Sequence, residues 1–353
     1  MTGRRLSPCA LLLGLALGLV ISSGCTTKAK NQAALSIALT PGNPKVIYVG
    51  TSRTVYRSTD GGRTWTKMSE GLGSHAMYTL AIDPQMTSAI YAGTFGNAVY
   101  GSHDGGRHWT IKDGETCGTA IKPGLREYTG SLLIFALAID ASGEVSTIYA
   151  GTASGLFISP DNGACWTAHN EGLENLYMTA LAVDRSAPGT VYAGTTFGLY
   201  KSTNRGQRWT VSDRGMSSGS PPVRPSVSAI AIDPMRPTTV YVGTKLGVYR
   251  STDGAATWTA MSQGLTTHYV QSLVVDPTKP EVLYAGTNGG IYKTTDAAQH
   301  WTPVAPGTMR FAIRELVVDP QAPTTVFAAT ESGLFLSRDA GATWNEIELE
   351  RPG

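Results

Sequence analysis

The sequence predicts an all-β chain, a single seven-bladed β-propeller of four-stranded antiparallel blades, and three observations predict it. One unit recurs seven times, every copy divides into four short strand-like segments, and no stretch carries a sustained helical period. The tryptophans mark the repeat, falling at 65, 109, 166, 209, 258, 301 and 344 in steps of 44, 57, 43, 49, 43 and 43. A unit of about 43 residues with two insertions accounts for every step.

The clearest copy runs Ala229-Ile-Ala-Ile-Asp-Pro, Thr239-Val-Tyr-Val-Gly-Thr, Gly247-Val-Tyr-Arg-Ser-Thr-Asp-Gly and Thr257-Trp-Thr-Ala-Met. Its segments are rich in Val, Ile, Tyr and Thr and are separated by Gly, Asp-Pro or Asp-Gly, the punctuation of strands joined by hairpins. Four strands in each of seven units match small sheets packed face to face around an axis. Helical solenoids of similar period are excluded by the missing 3.6-residue pattern. The first copy begins on its inner strand and the last ends on its outer strand. The propeller is therefore expected over residues 34–350, closing by blade packing without strand exchange.

At the third hairpin every copy carries a version of Ser-x-Asp-x-Gly-x-Thr-Trp, with Ser58, Asp60, Gly62, Thr64 and Trp65 as the full form. The seven turns span residues 58–65, 102–109, 159–166, 202–209, 251–258, 294–301 and 337–344. This motif is identified as the Asp-box, or bacterial neuraminidase repeat. Its Asp and Ser side chains can bond backbone N–H groups of their own turn, and its Gly takes positive φ. The rings of Trp65, Trp109, Trp166, Trp209, Trp258, Trp301 and Trp344 are expected to pack between blades. The motif thus reads as a structural staple.

Forty-one glycines and nineteen prolines against 15% charged residues suit short strands and tight turns, without the signature of disorder. A formal charge of +2 gives no electrostatic footprint for nucleic acid. Arg4 and Arg5 precede an apolar run over residues 11–21 that leads into Ser22, Ser23, Gly24 and Cys25. Residues 1–24 read as a secretory signal, too short for a mature spanning helix. The end of the run resembles the lipobox of bacterial lipoproteins, with Ser22 where that motif usually has Leu. The resemblance implies acylation of Cys25, with ordinary cleavage near Gly24 as the alternative, and residues 25–33 read as a polar tether. The expected location is the bacterial cell envelope, lipid-anchored and facing periplasm or exterior. Of the mature cysteines, Cys117 and Cys165 are placed by the repeat near opposite rims of neighbouring blades. Two free thiols are favoured over a bridge, which needs the long 111–131 link to fold down.

Repetition also separates structure from recognition. In an up-and-down blade the first and third hairpins share one rim, while the second hairpin and the link to the next blade share the other. The Asp-boxes mark the structural rim, and both insertions, 111–131 and 214–226, fall opposite, where loops on a rigid scaffold carry recognition. Asp83, Asp140, Asp184, Asp233, Asp276 and Asp319 each end an inner strand and invite a catalytic or metal reading. They repeat once per blade, however, and fit Asx-type turns at the first hairpin. The repeat is broken on the other rim by Tyr78, Arg126, Tyr128, Tyr177, Arg214, Arg224, His268, Tyr269, Arg310, Phe311 and Arg314 in links, and by Arg53, Phe95, Phe197 and Lys245 in second hairpins. Arg and aromatic side chains are the types that carry interface energy, so these are the candidate binding residues.

The phrase Tyr-x-Gly-Thr-x-x-Gly-x-Tyr-x-Ser-Thr-Asp-Gly-Gly-x-Thr-Trp, repeated over residues 48–344, resembles the Asp-box propellers related to the photosystem II stability and assembly factor. The resemblance implies a non-catalytic assembly scaffold, often lipid-anchored, whose partner is a protein, membrane-embedded or not, with no cofactor and no metal. Carbohydrate binding or glycoside hydrolysis is the rival reading, since sialidases and endoglucanase-like enzymes share the motif. The arginine triad and Arg-Ile-Pro segment of sialidases are not matched here. Glycoside hydrolysis needs a carboxyl pair at a defined separation, for which Glu127, Glu315 and Glu331 are the available groups. The chain is expected to be a binding platform and not an enzyme.

Overall fold

The computed structural model describes residues 32–96, 98–114, 133–217, 223–304 and 311–350. Cys25, the signal segment, Cys117, Arg126, Glu127, Tyr128 and Arg310 lie outside the described residues. The rest forms seven four-stranded antiparallel sheets, each in simple sequence order from inner to outer strand. The inner strands are Ala34–Leu39, Met77–Ile82, Ile134–Asp140, Met178–Val183, Val227–Ile232, Val270–Val275 and Ile313–Val318. No helix among the described residues is long and apolar enough to cross a membrane.

The second strand of each blade explains why these sequences need neighbours. Strands such as Ile47–Thr51, Val240–Thr244 and Leu283–Thr287 are buried at every position, so both faces must be covered by protein. Apolar clusters accordingly run from blade to blade. One joins Tyr192 and Leu199 of blade 4 to Val227, Val240, Val242 and Trp258 of blade 5. The seam that closes the ring is built alike: Ala34, Ile37, Ile47 and Val49 of blade 1 pack with Phe327, Ala329, Leu334 and Leu349 of blade 7. No strand is exchanged between the chain ends.

Close approach of the blades near the axis fixes one glycine per second strand in six blades. A Cβ on Gly243 would lie 2.7 Å from Val270 Cγ1 and 3.2 Å from the Val270 carbonyl oxygen. Blade 7 has Ala329 at this position, and the inner strand of blade 1 opposite begins with Ala34 where the others begin with Met, Ile or Val. The extra methyl on one side is matched by a small residue on the other.

In the first Asp-box the Ser58 hydroxyl donates to Asp60 Oδ1 at 2.8 Å and accepts the Gly62 N–H at 2.9 Å. Asp60 also accepts the Thr64 N–H at 2.9 Å and the Thr64 hydroxyl at 2.6 Å. The threonine hydroxyl is the main reason its carboxyl sits well below the usual range, and Thr343 holds Asp339 at about 2 in the same way. Ala255 and Ala298 occupy the positive-φ position that Gly62 holds in the first copy, at φ of 70° and 72°. In six blades the turn is tied to the first hairpin of its own blade, for example Gly61 N–H to Lys45 O at 3.0 Å and Gly254 N–H to Thr238 O at 2.8 Å. All six inner-strand aspartates cap Asx-type turns on this same rim, as in Gln85 N–H to Asp83 at 2.8 Å and Gln321 N–H to Asp319 at 2.8 Å.

The tryptophans clamp consecutive blades. The indole N–H groups of Trp166, Trp209, Trp258 and Trp301 donate to Lys112, His169, Ser212 and Met261 of the preceding blade at 2.7–3.0 Å. The Trp301 main-chain N–H adds a bond to Gln263 O at 2.8 Å. Trp109 and Trp344 bond within their own turns instead, and Trp65 is half-buried against the closing seam. The links leaving blades 1 to 5 therefore start by lying across the next blade's Asp-box. That route corrects the expectation for Cys165, which is disulfide-bonded. Lys112 reaches Trp166, beside Cys165, by the ordinary path of a link.

Two stability outcomes follow from these contacts. Trp301→Ala loses about 3–5 kcal/mol in denaturant unfolding and Trp65→Ala loses less, because only the first breaks a buried ring and two hydrogen bonds to the preceding blade. Gly243→Ala lowers stability by about 1–3 kcal/mol through overpacking against Val270, whereas Gly42→Ala, which meets no atom within 4 Å, loses only the ease of its positive φ.

Candidate functional site

The rim opposite the Asp-boxes is defined by main-chain bonds between second hairpins and the ends of links. Phe95 N–H donates to Ala76 O at 3.1 Å, Thr196 N–H to Tyr177 O at 3.1 Å and Lys245 N–H to Ser226 O at 3.3 Å. Just beyond each of these points the inner strand carries a β-bulge. The register slips between Ala34 and Ser36, Met77 and Thr79, Met178 and Ala180, Val227 and Ala229, Val270 and Ser272, and Ile313 and Glu315, and Phe135 is skipped likewise in blade 3. A bulge re-aims the side chain it carries. Here the seven re-aimed residues, Leu35, Tyr78, Phe135, Thr179, Ser228, Gln271 and Arg314, all line the axial channel, a cavity of about 620 Å³. Their backbone setting repeats and their chemistry does not.

Aromatic side chains gather on one side of this mouth. Phe95 stacks on Tyr78 with centroids 5.7 Å apart, Tyr78 meets Phe135 edge-on at 6.1 Å, and Phe135 stacks on Tyr177 at 5.0 Å. All five exposed Phe and Tyr side chains among the described residues, Tyr78, Phe95, Tyr177, Phe197 and Phe311, lie on this rim. Leu176, Val223 and Leu246 extend the apolar surface. Phe311 also packs on Phe335 at 6.3 Å.

The cationic candidates divide by their partners. Arg53 is exposed at the tip of the blade-1 hairpin. Lys245 stands over the ring of Tyr269 at 5.7 Å, next to the exposed His268. Arg314 is paired with Glu331 of the adjoining hairpin. Arg224 is a clasp: it binds Glu174 at 2.6 Å and Asp213 at 3.2 Å and covers Phe197 at 5.7 Å. Desolvation nonetheless keeps the Asp213 carboxyl above its ordinary range. Arg214 is brought to none of these. Its carbonyl accepts the Trp258 N–H at 2.9 Å, and it lines a groove with Asp253 and Ala256 beside the blade-5 Asp-box. Among the described residues no group of three His, Cys, Asp or Glu side chains comes together to hold a metal.

Sequence reasoning missed Phe135, Leu35, Thr179, Ser228 and Gln271. The signal was present in the repeat, since each follows the first buried residue of an inner strand and the seven copies disagree there.

The BNR/Asp-box repeat model matches residues 56–67, and the model described as Sortilin, neurotensin receptor 3, matches residues 247–348. Seven such turns staple seven blades in this chain. The protein is an Asp-box β-propeller. A comparison with curated proteins finds no match in sequence. Among solved structures, this Asp-box propeller is similar to a GH74 xyloglucanase from Xanthomonas campestris, with 18% identity, a TM-score of 0.69 and coverage of 90% of this chain and 55% of that one. It thus spans about half the length of the enzyme. YCF48 from Cyanidioschyzon merolae aligns over 88% of this chain and 96% of its own, with 13% identity and a TM-score of 0.63. YCF48 bound to D1 peptide gives 15% identity, a TM-score of 0.62 and coverage of 88% and 94%. At these identities the likeness establishes the propeller fold.

One acid in the channel wall of the Asp-box propeller departs from its repeat. The residue after the bulge is Ser36, Thr79, Ala136, Ala180, Ala229 or Ser272 in six blades and Glu315 in the seventh. Ser272 accepts the Leu316 N–H at 2.9 Å, and Glu315 accepts the Ile37 N–H at 2.8 Å across the closing seam. Enclosure by protein raises the Glu315 carboxyl from 4.5 to about 7, against the smaller opposing pull of the Ile37 N–H. A carboxyl that ionises later in the folded state than in the unfolded one stabilises fully below pH about 4.5, and that contribution is lost as pH rises to about 7. At about 1.4 kcal/mol per pKa unit the loss has an upper bound of about 3 kcal/mol, lowered by the water that reaches the carboxyl from the channel. Glu315→Gln is expected to flatten the stability profile over this window and to be the more stable form at pH 8 in denaturant titrations.

Proposed function

We propose that this propeller is a non-catalytic scaffold that binds a segment of a partner protein across the channel mouth, serving an envelope or membrane complex to which acylated Cys25 tethers it. One observation carries the reading. Seven positions with one backbone geometry hold seven different side chains, aromatic in blades 2 and 3 and polar or cationic in blades 5 to 7. A mouth graded from apolar to polar fixes the direction of an extended chain lying across it, and aromatic anchors give such a contact its energy. The peptide held by the structurally similar YCF48 supports a protein partner.

The test is affinity capture from detergent-solubilised membranes. Tyr78→Ala combined with Tyr177→Ala is expected to weaken capture at least about tenfold, as loss of anchor residues does. Met235→Ala, a change at a still more exposed side chain beside the first hairpin of blade 5, is expected to leave it intact. Turnover of β-glucans or sialosides that disappears with Glu315→Gln would overturn the scaffold reading in favour of a hydrolase. For the tether, Cys25→Ser is expected to release the chain from washed membranes, and mass spectrometry of the mature N-terminus reads the acyl group directly.

A further inference from the structure

The chain enters the propeller on the rim that carries the exposed aromatics. Ala33 O accepts the Ser52 N–H at 3.3 Å, the same bond that Tyr177 O makes with Thr196 in blade 4. Gln32 is held beside it by Thr51 and by Glu350, so the entry point is fixed on both sides. Gln32 and Ala33 thus occupy in blade 1 the places that Leu176 and Tyr177 occupy in blade 4. Seven residue steps separate Gln32 from Cys25, a reach of at most about 25 Å. A lipid on Cys25 therefore keeps this rim, and not the Asp-box rim, next to the bilayer.

The two rims differ in what they would offer a membrane. The Asp-box rim presents no exposed Phe, Tyr or Trp ring among the described residues, and its carboxylates, such as Asp60, Asp253 and Asp339, are held ionised by their own turns beside exposed Arg63, Arg107 and Arg338. The entry rim presents Phe95 at 52% exposure, Phe197 at 43% and Leu246 at 41%, each at or beside the tip of a second hairpin in blades 2, 4 and 5. Lys245 adjoins Leu246 in the last of these, and Arg53 stands at the tip in blade 1. Aromatic side chains concentrate at the headgroup level of membranes, and cations near the surface are drawn to anionic lipid. Blade 6 has Asn288 and Gly289 at its tip and blade 7 has Glu331 and Ser332.

We propose that the entry rim seats on a phospholipid surface through Phe95, Phe197 and Leu246, with Lys245 and Arg53 toward the phosphates. The hairpin tips of blades 2, 4 and 5 rest on the lipid, and the mouth lies between them and the polar tips of blades 6 and 7. The proposal rests on acylation of Cys25 and extends the scaffold reading, since it turns the mouth toward whatever emerges from the bilayer.

The experiment places the full chain on vesicles of phosphatidylethanolamine and phosphatidylglycerol with brominated acyl chains and compares Phe197→Trp with Met235→Trp. Both positions are exposed, and the seven native tryptophans belong to the Asp-boxes and give both variants the same background. The expected result is a blue shift and loss of the added emission for Phe197→Trp and neither for Met235→Trp, with the effect abolished when Phe95 and Leu246 are changed to Ser. Equal emission from both variants on anchored chain overturns the seat while leaving acylation standing. Failure of the wild-type chain to sediment with vesicles overturns both. A blue shift of Phe197→Trp without bromolipid quenching, appearing only with a co-purified protein, overturns the lipid seat and assigns the rim to that protein. Loss of capture in the mouth variants is read separately, so the scaffold reading stands or falls on its own.

Discussion

The structure depends on burial between blades, and the tryptophan at the end of each Asp-box is where that burial is secured. A single blade has a second strand with no exposed face, so no blade can be stable by itself. The indole and main-chain N–H groups of a tryptophan such as Trp301 reach back to the preceding link, so each blade is bonded to the one before it as well as packed on it. The Asp and Ser of the turn hold the loop that presents the ring. The carboxylate oxygens of Asp60 are engaged by their own turn, which is the structural task the motif performs.

Much of this was legible in the sequence because the responsible residues are local or periodic. Asp60 and Thr64 are four apart, and the inner-strand aspartates bond within three residues of themselves, so their roles can be read in one dimension. The candidate site was legible only in outline. Its rim follows from hairpin order, but the bulge that aims Tyr78 and Phe135 into the channel leaves no mark of its own, since Met77-Tyr78-Thr79-Leu80 reads as an ordinary strand. Arg224 looks like a free interface residue until Glu174, fifty positions away, is brought to it. Hairpin order alone places Arg214 on the binding rim with the other link residues. The links leaving blades 1 to 5 lie first across the next blade's tryptophan, and Arg214 is left beside that blade's Asp-box.

The closing seam shows how an unsymmetrical sequence maintains a symmetrical ring. Ala329 opposite Ala34 preserves the spacing that glycine opposite a larger residue gives elsewhere. Glu315 supplies across this seam the acceptor that Ser272 supplies between blades 6 and 7. Beyond Ile347, Leu349 packs on blade 1 and Glu350 bonds Gln32 beside it, as other links lie on the blade that follows them. Closure is therefore one more copy of the ordinary contact between blades, with its own residues.

The bulge in every inner strand divides the chain's positions into two alphabets. Residues that alternate in register with their neighbours are answerable to packing, and a change at Ile134 or Val270 is felt in the preceding blade. The bulged residue stands outside that alternation and faces the channel together with what its own rim places beside it, as Phe95 beside Tyr78 and Glu331 beside Arg314. A duplicated blade can thus vary at this one position while the alternating residues keep their packing, although Thr179 also bonds Val227 O across a seam. An ancestral ring of near-identical units could in this way acquire a directional mouth, one letter per blade, while its architecture stayed fixed.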